Sequence, residues 1–246
     1  MQGLILAAGN SRRLQPFTNN IPKCLLPVGK ETILGRTLKA LENYPIKEIV
    51  IVVGYLKEKI KEYAKTKFSH LKVRFVTNKI YAQTNNIYSL WLAKEIIQDD
   101  FLMLDSDILF HPQIIGRLLS SNFSNALAIR KGEIGTEDMK VSLNGRNLVR
   151  KISKTIRPKE ASGESIGIEL FSRKTARRLF EILDQMIENE SLSDVFYEMA
   201  FQRLIEQGIE IYGIDVGNLP CIEIDTLKDL KFARNKITPL LEESRC

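Results

Sequence analysis

The chain has 246 residues, 44% of them hydrophobic, and a formal net charge of +6 at pH 7. No repeat, low-complexity tract or Pro/Gly/Ser-rich linker divides it, so we expect one domain over 1–246. The 36 basic residues are scattered among 30 acidic ones, which suits an anionic small molecule and disfavours nucleic acid as the main ligand. We expect a cytoplasmic protein without membrane insertion, because no apolar run is long enough to span a bilayer and the N-terminal run is too short for a signal peptide.

Strand and helix signals alternate through the first half of the chain. This pattern is typical of a parallel sheet whose crossovers are helices. Strands are predicted at 4–7, 49–53, 73–77 and 101–104, and helices at 33–41, 56–64, 87–96 and 112–119. Ligands of such sheets bind beyond the carboxyl ends of the strands, where Gly9, Asn78 and Asp105 fall.

The second half is richer in short strands. Strands are predicted at 126–130, 139–143, 148–152, 165–171, 209–215 and 221–224, and helices at 174–189 and 195–207. Asn144-Gly145 between two strand-like runs indicates a hairpin. Thr226 and Asp229 have the spacing of a capping box and predict a last helix through Arg234. We expect an α/β fold: a Rossmann-like mixed, mainly parallel sheet with helices on both faces.

The N-terminal loop carries the first sign of a ligand. The apolar run from Leu4 breaks at Gly9, and Arg12, Arg13 and Lys23 follow. Gly9 can adopt a positive φ and lets the chain pass close to a ligand. Backbone amides turned toward one point, together with fixed cations, bind polyphosphates.

The whole segment resembles the signature LAAGxGxRLxPxTxxxPKxLLPVxxxxxL of the nucleotidyltransferases that make sugar nucleotides and CDP-alcohols. The positions in register are Leu6 to Gly9, Arg13-Leu14, Pro16, Thr18, Pro22-Lys23, Leu25 to Val28 and Leu34. Ser11 stands where the family commonly has glycine, and Arg12 where it has serine or threonine. The resemblance implies the nucleotide-diphospho-sugar transferase fold, with a nucleotide-binding half over about 1–120, a β-rich acceptor-binding half over about 121–225 and a C-terminal helix over 226–246.

Two acidic positions follow predicted strands. The run 101–107 ends in Asp105 and Asp107, and Asp225 follows the strand at 221–224. Taken alone, each could be a capped turn or a helix-cap neighbour. By resemblance to the family, Asp107 and Asp225 hold Mg²⁺, a cation that prefers hard oxygen ligands. These two carboxylates meet only if the last strand returns to the same edge of the sheet.

A polar cluster opens the helix predicted at 87–96. Asn86 is expected to cap it, and the segment 85–93 resembles the NNxYSLxLA run of the bacterial phosphocholine cytidylyltransferase branch. The resemblance assigns Lys23 and Arg13 to catalysis. It assigns to nucleotide binding Leu6, Ala7, Ala8, Gly9, Asn10, Ser11, Arg12, Gln83, Asn85, Asn86, Ser89 and Asp105.

The implied reaction joins CMP from CTP to a phosphorylated alcohol and releases pyrophosphate. By this resemblance, phosphocholine is the first choice of acceptor. A quaternary amine needs an aromatic face and a nearby carboxylate. The candidates for that site are Tyr88, Trp91, Glu169, Asp194 and Tyr197. Phosphoethanolamine, inositol 1-phosphate and a sugar 1-phosphate remain open, as does a nucleotide-binding module without turnover. The sequence leaves the oligomeric state open.

Overall fold

The apolar runs of the first half form the centre of one mixed sheet. The computed structural model describes residues 1–243. The strands are β1 (Gln2–Ala7), β2 (Pro27–Val28), β3 (Glu31–Thr32), β4 (Glu48–Val53), β5 (Val73–Thr77), β6 (Phe101–Asp105), β7 (Ile108–Phe110), β8 (Asn125–Arg130), β9 (Lys140–Leu143), β10 (Val149–Ser153), β11 (Gly163–Phe171), β12 (Tyr212–Asp215) and β13 (Cys221–Glu223). The helices are α1 (Ile33–Leu41), α2 (Lys57–Lys67), α3 (Asn86–Trp91), α4 (Gln113–Leu119), α5 (Arg173–Asp184), α6 (Glu198–Glu206), α7 (Leu227–Phe232) and α8 (Thr238–Glu243).

Strands β6, β1, β4 and β5 lie side by side in that order and run parallel. Every residue of β1 and β4 is buried, as expected for strands covered on both faces. In β1, Leu4 and Leu6 pack in one core cluster while Ile5 and Ala7 pack in another. Helices therefore cover both faces of the sheet, which confirms the predicted fold class.

The second half adds a mixed region to the β6 edge. Strand β11 runs antiparallel to β6 and β8, and β9 and β10 form the predicted hairpin. The ladder between β11 and β8 is irregular between Ser165 and Glu169. Gly167 lies in this irregularity with φ +70°, and a Cβ there would lie 2.8 Å from Asp105 Oδ2. Glycine thus permits both the backbone conformation and the close approach of β11 to the end of β6.

A separate two-stranded sheet brings the chain's last acidic segment back. Strand β13 pairs antiparallel with β7, and Ile224 N donates to Asp107 O at 3.0 Å. The predicted capping box follows, with Thr226 and Asp229 starting α7. The last strand therefore returns beside Asp107 through a small sheet of its own rather than through the main sheet.

Several local predictions need correction. Helix α3 ends at Trp91 rather than 96, and its N-cap is Asn85, not Asn86. The helix predicted at 195–207 begins only at Glu198.

Two further observations concern the cysteines and the length of the helices. Cys24 and Cys221 are buried free thiols, while Cys246 lies outside the described residues. Among residues 1–243, no helix is both long enough and apolar enough to cross a membrane.

Candidate functional site

The loop after β1 is held in place from two sides. Ala8 O accepts a bond from Tyr55 N at 3.1 Å, and a Cβ on Gly54 would lie 2.6 Å from that same oxygen. Thr18 Oγ1 donates to Ser11 O at 3.0 Å. The left-handed residue of the loop is Ser11, with φ 49°, rather than Gly9. A Cβ on Gly9 would meet no described protein atom within 4 Å, which leaves that side of the loop open.

This loop lines a cavity of about 410 Å³, here called the loop cavity. Thirteen of the predicted site residues line it: Leu6, Ala7, Ala8, Gly9, Asn10, Ser11, Arg12, Lys23, Asn85, Asn86, Ser89, Asp105 and Asp107. The strand ends place them together, because Leu6 on β1 is in register with Asp105 on β6. Gln83 is exposed and is not part of the lining.

A network of opposite charges lies at the edge of the loop cavity. Lys23 Nζ donates to Asp107 Oδ2 and to Asp225 Oδ1, each at 2.7 Å, and Arg13 Nη2 donates to Asp225 Oδ2 at 2.7 Å. Burial alone would lower the pKa of Lys23, but the charges of Asp107 and Asp225 outweigh it and raise that pKa. Burial acts to raise the pKa of Asp225, and Lys23 and Arg13 reverse this and lower it. Lys23 is therefore ammonium and Asp225 carboxylate at neutral pH.

Three carboxylates at this edge have a donor set that suits a divalent cation. Asp107, Glu223 and Asp225 each offer an oxygen, and these oxygens lie within 4.8 Å of one another. Asp107 Oδ1 is buried without a partner among the described residues. Glu223 is exposed, yet its pKa is raised to about 8 by desolvation and by the charges of Asp107 and Asp225. Clustered hard oxygens, one of them unpartnered, fit the ligand preferences of Mg²⁺.

The polar residues at the start of α3 line the loop cavity and also make hydrogen bonds within the protein. Asn85 Oδ1 accepts the backbone N–H of Asn86 at 2.8 Å, and Asn86 Oδ1 accepts the N–H of Tyr197 at 2.9 Å. Ser89 Oγ accepts from Asn78 Nδ2 at 3.1 Å. Asn86 thus ties the loop cavity to the start of α6.

A second cavity of about 230 Å³ lies on the other side of Asp105 and is here called the acidic cavity. Its charged or aromatic lining residues are Arg13, Asp105, Glu137, Asp138, Lys154, Glu164, Phe196, Glu198, Glu223 and Asp225. Burial, followed by the charge of Asp107, raises the pKa of Asp105 well above its ordinary value. Arg13, Asp105, Glu223 and Asp225 place the acidic cavity next to the charge network.

The five predicted acceptor residues line neither cavity, so the structure does not support their proposed position. Tyr197 is fully buried behind the wall, and its hydroxyl donates to Asp105 Oδ2 at 2.8 Å. Tyr88 packs on Trp91, and Trp91 Nε1 donates to Asp184. Glu169 is fully buried and Asp194 is exposed. Core packing of the rings outweighs the binding role that residue type alone suggested.

Sequence reasoning missed other lining residues. Glu223 follows the strand pattern two residues before Asp225, so alternation along an extended segment places both on one side. Phe196 and Glu198 flank the buried Tyr197 at the start of α6. Nothing in the local sequence distinguishes Phe196 from Tyr197 as the residue facing the cavity.

Comparison with known proteins agrees with this architecture. The family model of the MobA-like NTP transferase domain matches residues 3–198. The choline-phosphate cytidylyltransferase of Streptococcus pneumoniae is 27% identical over 231 residues, 94% of this chain and 96% of that protein. A solved structure of CTP:phosphocholine cytidylyltransferase from Streptococcus pneumoniae superposes with a TM-score of 0.79 at 25% identity, covering 95% and 97% of the two chains.

A relative with a longer chain also matches. The bifunctional protein GlmU of Methanococcus maripaludis is 30% identical over 217 residues, 88% of this chain but 50% of the relative, so the chain spans about half of that protein's length. The match to the family model covers most of the chain and includes the loop after β1, Lys23 and Asp107. The chain therefore belongs to the MobA-like NTP transferase domain family.

Proposed function

We propose that the protein transfers CMP from CTP to a phosphorylated amino alcohol with release of pyrophosphate. The observation that carries this proposal is the ammonium of Lys23 held between Asp107 and Asp225 where the loop cavity meets the acidic cavity. A nucleotide in one cavity and an acceptor in the other would meet at this network. A binding module without turnover has no need for such a junction.

The reaction forms a bond between an acceptor phosphate oxygen and the α-phosphorus of CTP, and it breaks the bond from that phosphorus to the β-phosphate. Since the attacking oxygen is already anionic, the site needs alignment and charge neutralisation rather than a strong base. The loop from Gly9 to Ser11 offers backbone N–H groups to the triphosphate, and Arg13 adds a cation. Lys23 places its charge at the α-phosphate and the incoming phosphate.

Asp107 and Asp225, together with Glu223, are the residues that would hold Mg²⁺. When bound there, the ion supplies charge neutralisation of the phosphates. Lys23 keeps the two aspartates at a fixed separation through its paired hydrogen bonds. Asp105 holds the wall between the cavities, where Tyr197 fixes its carboxyl group.

The charge of the acidic cavity supports an acceptor with a positive group. Among the described residues, its lining contains seven carboxylic acids and two basic residues. Burial raises the pKa values of Asp105, Glu198 and Glu223, so a bound cation would favour their ionised forms. Phosphocholine, which similarity to the Streptococcus pneumoniae protein favours, belongs to this class. Inositol 1-phosphate and hexose 1-phosphates carry no cation that would offset these carboxylates.

Pyrophosphate release tests the proposal with CTP, UTP, ATP and dTTP, each crossed with phosphocholine, phosphoethanolamine, inositol 1-phosphate and glucose 1-phosphate. The expected result is turnover with CTP and the two amine acceptors. Preference for UTP or dTTP with glucose 1-phosphate would replace the proposal by a sugar-1-phosphate nucleotidyltransferase. CTP binding without pyrophosphate release for any acceptor would point to a non-catalytic module.

A further inference from the structure

One carboxylate of the acidic cavity has a buried oxygen with no hydrogen-bond partner among the described residues. Glu164 pairs with Arg130, Asp225 with Lys23 and Arg13, and Asp105 accepts from Tyr197. Glu198 differs, because its Oε2 is buried and has no hydrogen-bond partner among residues 1–243. The side chain is only 8% exposed. A buried oxygen without a donor is costly, and a donor supplied by a ligand removes that cost.

An aromatic ring lies in the same cavity. Phe196, two residues before Glu198, is 40% exposed and lines the cavity. The chain's own ammonium, Lys154 Nζ, lies 4.4 Å from the centre of this ring. This contact shows that the face of Phe196 attracts an ammonium group, and a ligand amine would take the place that Lys154 Nζ holds over the ring.

We infer that Phe196 and Glu198 bind the amine of the acceptor and that they favour a primary ammonium over a quaternary one. This inference rests on the proposed cytidylyltransferase activity and orders the acceptors within its class. The ring of Phe196 attracts either kind of cation. Glu198 Oε2 distinguishes them, because only a primary ammonium carries N–H groups that donate to it.

The number of aromatic rings in the cavity also favours a primary ammonium. A quaternary ammonium is typically held by several aromatic faces. Tyr88, Trp91 and Tyr197 do not line the cavity, and among residues 1–243 Phe196 is the single aromatic residue in its lining. One ring with a buried carboxylate suits a hydrogen-bonding cation better than a trimethylammonium group.

The position of the subsite is compatible with the reaction. Arg13, Glu223 and Asp225 line the same cavity as Phe196 and Glu198. An acceptor whose phosphate lies at the charge network therefore extends its amine along this cavity. A two-carbon spacer between phosphate and amine, as in phosphoethanolamine, is the probe we choose.

The first measurement is calorimetric binding of phosphoethanolamine, phosphocholine and propyl phosphate to the full chain with CTP present. Propyl phosphate has a size close to that of phosphoethanolamine but carries no amine. We expect phosphoethanolamine to bind at least about 10-fold more tightly than propyl phosphate, the range of a charge-assisted hydrogen bond, and more tightly than phosphocholine. Equal binding of phosphoethanolamine and propyl phosphate would overturn the inference.

Two variants locate the effect. Glu198→Gln should weaken phosphoethanolamine binding about 10-fold, and Phe196→Leu should weaken it about 3-fold or more. Each variant should weaken propyl phosphate binding less than it weakens phosphoethanolamine binding. Glu206→Gln, which removes the same charge from the exposed end of α6, is the matched control and should bind both ligands as the wild type does. Equal weakening of all ligands by Glu198→Gln would contradict an amine contact and indicate a structural role.

Activity separates this inference from the proposed function. If the protein releases no pyrophosphate but retains the binding preference for phosphoethanolamine, the cytidylyltransferase proposal fails and the amine subsite stands. If it turns over CTP but prefers phosphocholine or inositol 1-phosphate, the cytidylyltransferase activity stands and the inference fails.

Discussion

The loop cavity and the acidic cavity share the wall at Asp105, but they are built differently. Most residues of the loop cavity follow the carboxyl ends of parallel strands, where register fixes their relative positions. The acidic cavity draws on the irregular part of β11, the segment before α6 and the small sheet of β7 and β13. Its lining therefore depends on contacts between segments far apart in the chain.

The two cavities thus differ in the part of the proposed reaction that each would serve. In the proposed function, buried strands position the groups that act in nucleotidyl transfer, and the second half of the chain supplies the groups that recognise the acceptor. Connecting segments tolerate change better than the strands they join. The charge network joins the two regions, since Lys23 comes from the first and Asp225 from the second.

Removing a carboxylate of the network should have the largest effect. We expect Asp107→Ala and Asp225→Ala each to lower kcat by about 10³-fold or more, because charge neutralisation is lost at the reacting phosphates. Lys23→Ala should fall in the same range. Steady-state pyrophosphate release measures the rate, and thermal unfolding verifies the fold.

The matched control for this experiment is Asp215→Asn. Asp215 also ends a strand, but it pairs with Lys131 away from both cavities. Its variant should retain activity. Wild-type turnover in Asp107→Ala, Asp225→Ala or Lys23→Ala would remove that residue from the proposed mechanism.

Prediction from the sequence succeeded where local pattern determines position. The apolar runs predicted that Gly9, Asn78 and Asp105 lie beyond the carboxyl ends of neighbouring strands. The structure confirms this prediction, because all three line the loop cavity. Prediction was wrong where a buried ring had to be distinguished from an exposed one. Tyr197 and Phe196 are adjacent aromatics, and only the packing of α6 decides which faces the cavity. Asn86 was misassigned as a cap because either asparagine suits that role.

The junction of the two cavities should be sensitive to bulk at Gly167. Gly167→Ala forces a residue at φ +70° and places a Cβ 2.8 Å from Asp105 Oδ2. We expect a loss of about 3 kcal/mol in the free energy of unfolding, from backbone strain and overpacking combined. Gly145→Ala, where a Cβ would meet no described atom within 4 Å, should change stability little. Urea denaturation compares the two, and equal stability would mean that β11 adjusts without cost.

The pH dependence of stability should reveal the unpaired acid of the acidic cavity. Burial raises the pKa of Glu198 to about 7, above its ordinary value. The protonated side chain therefore makes its full contribution to the free energy of unfolding below about pH 4.5. This contribution is lost as the pH rises through about 7. Glu198→Gln has no proton to lose, so it should match the wild type near pH 5 and exceed it by on the order of 2 kcal/mol at pH 8. Parallel pH profiles of the two proteins would show that Glu198 does not titrate in this range.

The smallest expected effect tests the loop cavity, where the chain departs from the family signature. Ser11 holds φ 49°, a conformation that costs a residue with a side chain about 1–2 kcal/mol, whereas glycine adopts it freely. Glycine also gains entropy in the unfolded chain, which offsets part of the benefit. We therefore expect Ser11→Gly to raise the free energy of unfolding by about 0.5 kcal/mol, and Ser11→Ala, which retains the strain, to bring no gain. Urea midpoints measured side by side decide the matter. A Ser11→Ala variant as stable as Ser11→Gly would show that the loop relaxes out of the left-handed conformation, and the strain argument would then fail.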